Sequence, residues 1–303
     1  MKKITWIVSL LITVLATQAQ SSNNSLTNTL LWRITGKNLT KPSYLFGTMH
    51  MLCADDIELS DSLKNAIKTS DKVYLELDMN NLMEMMGAMS HMSMRNDTTL
   101  ADLLSPEEYK KVKSYFTDHM SMLPFSMLET YKPLLTASTL MEQSNKCDHI
   151  IAMEELIMQE ARQDHKEIKG LETMNYQLSI FDSIPYKVQA KQLVDMINNM
   201  DKSDDDKDME ELTNAYRMQQ LNKMEELTKK DVGIRDYANL LLYNRNRNWA
   251  QKLDGLLPQN SLIIAVGAGH LPGEKGVINL LRRAGYKVEP VKNDMSKKKT
   301  RDI

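Results

Sequence analysis

The chain has 303 residues, with 38 Lys and Arg against 40 Asp and Glu, a net charge of −2 and 42% apolar residues. This composition suits one globular domain or two small ones and excludes disorder, a collagen-like repeat and a disulfide-dense mini-scaffold. Charges of both signs are interspersed and screened within about 8 to 10 Å, so no long-range field gathers nucleic acid or anionic lipid, and nucleic acid is not an expected partner.

At the N-terminus, Lys2-Lys3, the apolar run Ile4–Ala16 and the small residues Thr17 and Ala19 have the layout of a secretory signal peptide over residues 1–19. As a helix the run spans only about 20 Å, short of the roughly 30 Å of a bilayer core. The expectation is an exported protein, periplasmic or extracellular, with no stable membrane span after cleavage. In an oxidising space Cys53 and Cys147 favour a disulfide; two buried free thiols, or Cys53 as a soft metal ligand close to His50, are the alternatives.

Leu30–Thr35 and Ser43–Gly47 are β-prone runs separated by Gly36-Lys37-Asn38 and Pro42, which predicts two paired strands joined by a turn. Asp55–Ser70 has apolar residues at helical spacing, and Val73–Asp78 then reads as a strand, completing a βαβ unit that builds parallel sheet. From about 79 to 165 the pattern is mostly helical, broken by Pro106, Pro124 and Pro133, with Ser105-Pro106 a strong helix start. A short strand is expected at Glu167–Glu172, after a helix from Met153 to Gln163. A long helical stretch follows at about 186–251, interrupted by a solvated acidic loop at Asp201–Asp208. The C-terminal part returns to α/β with a strand at Leu262–Val266, a helix at Gly276–Ala284, a cap at Gly285 and a strand at Tyr286–Val291. Residues 20–292 are thus expected to form one α/β domain. Its central sheet is mixed or mostly parallel, drawn from the N- and C-terminal parts, with helical insertions between, ahead of a disordered basic tail at 293–303.

Two places share one design. In Leu45-Phe46-Gly47-Thr48-Met49-His50 and Ile264-Ala265-Val266-Gly267-Ala268-Gly269-His270, an apolar strand runs into Gly, two spacers and His. Gly lets the backbone turn sharply out of the strand, and the His then projects from its carboxyl end, where open α/β sheets bind ligands. Glu76 sits inside an apolar strand, where a carboxylate is costly unless paired or coordinated. It is either on a half-exposed polar strand face, a metal ligand or a general base. Two imidazoles and a carboxylate, His50, His270 and Glu76, form a donor set that binds a divalent metal and acidifies its water.

Taken in order, five elements resemble the TraB/GumN family, to which the TIKI metalloproteases and PrgY pheromone-shutdown proteins are related. They are Leu45–His50, Val73–Asp78, Lys169–Thr173, Arg245-Asn246 with Trp249, and Val266–Leu271 followed by Gly273 and Gly276. The family's two Gly-x-x-His motifs and strand glutamate map onto His50, His270 and Glu76. The resemblance implies an α/β fold related to erythromycin esterase and the haem-binding ChaN proteins, and by extension from TIKI a metal-dependent peptidase. It also adds weight to Glu172, as a general base, an orienting partner of a His or a carboxylate favoured by the next helix's dipole, and to Arg245, as an oxyanion or carboxylate holder.

The expected function is therefore an exported metal-dependent hydrolase acting on a peptide or protein, using Zn, Mn or Co held by His50, Glu76 and His270, with Glu76, Glu172 and Arg245 catalytic. The alternative is a binding protein that sequesters a peptide, haem or metal in the same pocket without turnover. The chain lacks the His-Glu-x-x-His of zincins. Outside this scheme stands the methionine segment, Met79, Met83, Met85, Met86, Met89, Met92 and Met94 with His91, within a chain of 23 Met and 4 Phe. It reads as helical packing with Met in place of Leu, as an adaptable apolar cover, or as a Cu(I) site.

Overall fold

The computed structural model describes residues 28–295 apart from 56, 120–122, 144–146, 148 and 201–202. The expected signal peptide and the last eight residues of the basic tail lie outside the described residues. Eight strands are present among those described: β1 Leu31–Thr35, β2 Ser43–Thr48, β3 Leu52–Cys53, β4 Lys72–Leu75, β5 Ile150–Ile151, β6 Glu167–Gly170, β7 Leu262–Gly267 and β8 Lys287–Pro290. Six build one sheet in the order β6-β4-β7-β2-β1-β8. The neighbours β6, β4, β7 and β2 run parallel, and β1 runs antiparallel to both β2 and β8. The molecule is therefore α/β with a mixed sheet, and its centre is parallel because helices connect those strands across the faces.

The middle strand β7 is buried along Leu262–Val266, and β4 is buried at Val73, Tyr74 and Leu75. Both sheet faces are covered, so β4 shows no alternation of buried and exposed positions. The sequence predicts that this strand runs on to Asp78, with Glu76 inside it. In the structure β4 ends at Leu75, and Glu76 is the first residue beyond it.

The helices largely follow their caps. Ser60 caps Asp61–Thr69 by accepting from Leu63 N, so that helix begins six residues later than the apolar spacing suggested. Ser105 and Glu108 form a capping box on the helix Pro106–Asp118, with Pro106 at its first position. The expected acidic loop at 201–208 is helical from Ser203 onward, within the helix Ser203–Arg217, and its first two residues lie outside the described residues. The expected C-terminal boundary also moves, because Asn293 and Met295 are buried, with Ser60 Oγ donating to Asn293 Oδ1 at 2.5 Å and Glu58 N donating to Met295 O at 3.2 Å.

A second apolar cluster lies outside the sheet. It joins Val112 and Phe116, Ala137 and Leu140, and Leu193 and Ile197, so the first helical insertion packs against the helix Tyr186–Asn199. Beside it the helix Leu82–Met89 exposes Met83, Met86 and Met89, with Met79 ahead of it, whereas Met94 is buried. Those four methionines do not serve as core leucines.

Cys53 and Cys147 form a disulfide that spans 94 residues of chain. It closes a two-stranded ribbon in which β3 and β5 pair antiparallel. A closed loop of this length contributes about 3 to 4 kcal/mol. The Cys53→Ser/Cys147→Ser double variant is expected to lose that amount of unfolding free energy in urea titrations under oxidising conditions, and wild type should match it when fully reduced.

Candidate functional site

The site forms where the parallel strands end. β2 and β7 pair with Thr48 opposite Gly267, so the two Gly-x-x-His motifs leave adjacent strands side by side. Gly47 is required by their closeness: a Cβ there would come within 2.5 Å of Leu271 Cδ1 and 3.1 Å of Ala268. Its carbonyl is pinned by the buried Tyr216 hydroxyl at 3.0 Å. A second close approach brings the two glutamates together. A Cβ on Gly170 would meet Asp78 N at 2.9 Å, and its absence lets the chain after β6 continue bonding to the chain after β4, with Glu172 N donating to Glu76 O at 3.0 Å.

Arg245 stands at the centre of the result. It is 7% exposed. Its Nε donates to both Glu172 oxygens at 3.0 and 3.2 Å, Nη1 donates to Leu241 O at 3.0 Å and lies 3.3 Å from His270 Nε2, and Nη2 reaches both Glu76 Oε2 and Glu172 Oε1. The Leu241 carbonyl is part of a π-helical turn, Asn239–Tyr243, that immediately precedes the helix Asn244–Leu256 bearing Arg245; such turns interrupt the regular helical bonding. Trp249, one helical turn on from Arg245, lies beneath its guanidinium and donates Nε1–H to Glu172 Oε2 at 3.0 Å. All the guanidinium's donor nitrogens face protein acceptors, so the oxyanion role expected of Arg245 finds no spare donor in this arrangement.

Glu76 completes its shell with Gly267 N, which donates to Oε1 at 2.8 Å. Burial would raise its pKa, but the neighbouring His270 charge, the Arg245 guanidinium and the Gly267 N–H more than offset this and bring it down to about 2. Glu172 goes the other way: burial holds its pKa above the ordinary value despite Arg245. Gln177 Nε2 bridges the two carboxylates at 3.4 and 3.3 Å.

His270 is buried against the Trp249 ring at 4.5 Å between centroids. Its Nδ1 meets Asn246 Oδ1 at 2.6 Å, and the Asn246 amide nitrogen donates to His270 O and Lys275 O. That assigns the Asn246 oxygen as acceptor and puts the imidazole proton on Nδ1. Burial lowers the His270 pKa to about 4, so the ring is neutral and its Nε2 lone pair faces the site, 3.9 Å from Glu76 Oε1.

His50 is not drawn into this cluster. Its side chain is 68% exposed, with Nδ1 2.9 Å from Glu154 Oε1, and that hydrogen bond raises its pKa. It is near enough for its charge to act on both Glu76 and His270. Among the described residues no three His, Cys, Asp or Glu side chains gather as a metal site. The donors fit a divalent cation in kind, since a neutral imidazole and an ionised carboxylate share one space, but the Arg245 guanidinium stands among them, its Nη1 donating to His270 Nε2 at 3.3 Å.

Sequence reasoning thus named Glu76, Glu172, Arg245 and His270, which converge, and His50, which flanks them. It gave no role to Asn246, Trp249, Gln177 or Glu154. Asn246 and Trp249 share a helix with Arg245 and were legible as its neighbours; Gln177 and Glu154 carry no local signal. A cavity of about 510 Å³ opens on Glu172 and Trp249, with Tyr176 and Asn248 in its wall.

A family model described as the TraB/PrgY/gumN family matches residues 30–290. A metalloprotease TIKI homolog of Nematostella vectensis is 24% identical, over 88% of this chain and 67% of its own length. Metalloprotease TIKI2 of Danio rerio is 23% identical, over 86% and 61%, and a metalloprotease TIKI homolog of Amphimedon queenslandica 24%, over 88% and 62%. The chain therefore spans only about 61 to 67% of these relatives' length. No solved structure matches the chain.

Two outcomes follow from the charge arrangement. Arg245→Ala leaves two buried carboxylates uncompensated and is expected to cost about 3 to 5 kcal/mol in urea unfolding, partly recovered by adding Glu172→Gln. For pH, the unfolded chain binds protons more readily than the folded one, at His270 between about 6.5 and 4 and at Glu76 between about 4.5 and 2. Stability contributed by both is therefore lost as pH falls through those windows. Acid titration followed by circular dichroism should show this, and Glu76→Gln should flatten the lower window.

Proposed function

The chain belongs to the TraB/PrgY/gumN family, and on that footing we propose that it is an exported metal-dependent hydrolase of peptidase type. The observation that carries this reading is the His270 imidazole, neutral, held by Asn246 through Nδ1, with its Nε2 turned to Arg245 Nη1 and the ionised Glu76. That is the state in which an imidazole serves as a metal ligand, its other nitrogen fixed by an outer partner. The names of the TIKI relatives support a metal and a proteolytic role; the two Gly-x-x-His motifs and Lys2–Ala19 support the site and the export.

In this proposal His50, Glu76 and His270 would hold the divalent ion, Zn, Mn or Co. When bound, such an ion supplies Lewis acidity and an acidic water. The two glutamates then divide their roles by environment. Glu76, kept ionised to about pH 2, suits ligation, whereas Glu172, with its pKa raised and its side chain open to the 510 Å³ cavity, suits accepting a proton from water. Arg245 holds both carboxylates at fixed separation and compensates their charge. The cavity would take the peptide, with Trp249 and Tyr176 as apolar walls and Asn248 as a polar contact. The likeness to the erythromycin esterase and ChaN folds belongs to the same proposal.

One observation favours a second reading, retention of a peptide, haem or metal without turnover: Arg245 already neutralises the carboxylates. Elemental analysis of residues 20–303, purified without chelator, separates the two, beside His50→Ala and His270→Ala. Near-stoichiometric metal in wild type, lost in both variants, together with cleavage of a peptide library, is the expected result. Trace metal in all three after reconstitution with Zn, Mn and Co would overturn the hydrolase.

A further inference from the structure

Glu154 opens the helix Met153–Gln163, far from β2 in the sequence, yet it is the residue that meets His50. Both of its carboxylate oxygens are shut off from solvent and have no hydrogen-bond partner of full geometry among the described residues; the group they pair with is the His50 imidazole, whose Nδ1 lies 2.9 Å from Oε1. A carboxylate buried with so little compensation is costly, by several kcal/mol when left alone. Nothing in the local helix calls for it. Asp or Glu in the first turn is favoured by the dipole only while it stays near the helix axis and in contact with its N–H groups or solvent. This side chain instead turns toward the end of β2.

The backbone around it is fastened to the His50 segment from both sides. β3 pairs with β5, Leu52 opposite Ile151 and Cys53 opposite Ile150. Ala54 N donates to His149 O at 2.9 Å, Met153 N donates to Met49 O at 3.1 Å, and the Cys53–Cys147 disulfide closes the far end. The bond between Met153 and Met49 places the residue after one directly beside the residue after the other, and those residues are Glu154 and His50. A carboxylate accepts only, so the imidazole must carry its proton on Nδ1. The free Nε2 of His50 is then the nitrogen directed away from Glu154.

The same arrangement exists at the other motif, where Asn246 Oδ1 takes the Nδ1 proton of His270 at 2.6 Å. The two histidines of the repeated motif are thus fixed through the same ring atom by unrelated residues, one a carboxylate on a disulfide-closed ribbon, the other an amide on the helix that carries Arg245. We infer that Glu154 is the positioning residue of His50: it sets the Nδ1–H tautomer and ring orientation, so that Nε2 is presented to the site shared with Glu76 and His270. The inference rests on the proposed function for the use made of that nitrogen, but not for the tautomer itself.

The test uses the mature chain, residues 20–303, with ¹⁵N-labelled histidine, in wild type, Glu154→Ala and the isosteric Glu154→Gln, which keeps an acceptor oxygen. In alkaline buffer, where imidazoles are neutral, ring ¹⁵N shifts report the tautomer of His50 and of His270 separately. Wild type and Glu154→Gln should show His50 as the Nδ1–H form, Glu154→Ala a mixture of tautomers, and His270 no change in any of them. Zn²⁺ affinity, measured by competition with a chromophoric chelator, should fall about 10- to 100-fold in Glu154→Ala and recover in Glu154→Gln. An unchanged His50 tautomer in folded Glu154→Ala overturns the inference; if that variant does not fold, a His50 in Glu154→Gln that fails to show the Nδ1–H form does so. A Glu154-dependent tautomer in a wild type that binds no Zn²⁺ upholds the positioning role and overturns the metallohydrolase instead.

Discussion

The Arg245 guanidinium between Glu76 and Glu172 is the interaction on which the rest of the site depends. Two carboxylates whose peptide groups bond to each other at the ends of neighbouring strands would repel, and both side chains are nearly closed to water. A single planar cation with a fixed fork of donors resolves this, because it can address both at once. Its own position is fixed by Leu241 O from the π-helical turn and by the Trp249 ring. The helix Asn244–Leu256 therefore both packs Trp249 and Leu253 into the core and bears one charge to the carboxyl end of the sheet.

That charge separates the behaviour of two residues that look alike in sequence. Glu76 receives a backbone N–H and faces His270, and it stays ionised to low pH. Glu172 is buried on the cavity side, and burial holds its pKa above the ordinary carboxylate value. The histidines differ similarly, His270 buried and neutral, His50 exposed and tied to a buried acid.

Much of the fold was legible. The strands at Leu31–Thr35, Ser43–Thr48 and Leu262–Gly267 lie where β-prone runs between Gly and Pro put them, and Ser105-Pro106 starts its helix as capping chemistry requires. Two local readings failed for identifiable reasons. The strand expected to run to Asp78 ends at Leu75, and because β4 is covered on both faces, alternation carries no information there about Glu76. The expected acidic loop is helix from Ser203, because acidic residues suit a first turn as readily as a solvated loop. Of the readings left open for the methionines, packing in place of Leu does not hold for the exposed Met83, Met86 and Met89, since spacing alone does not tell a face turned to the core from one turned to water.

What the sequence determined by itself is local: two Gly-x-x-His motifs after apolar strands, a glutamate within another apolar run, Cys53 and Cys147 able to pair, and a helix carrying Arg245, Asn246 and Trp249. These follow from backbone freedom at Gly, strand propensity and helical spacing, all of which act over a few residues. Tertiary structure alone decided which of these groups meet. The register of β2 against β7, the close approach at Gly170 and the ribbon of β3 and β5 bring together residues far apart in the chain. They pair Arg245 with two glutamates, Asn246 with His270 and Glu154 with His50. No local propensity encodes such pairings, because their energy comes from charges and lone pairs that lose water together only once the sheet and its helices have closed.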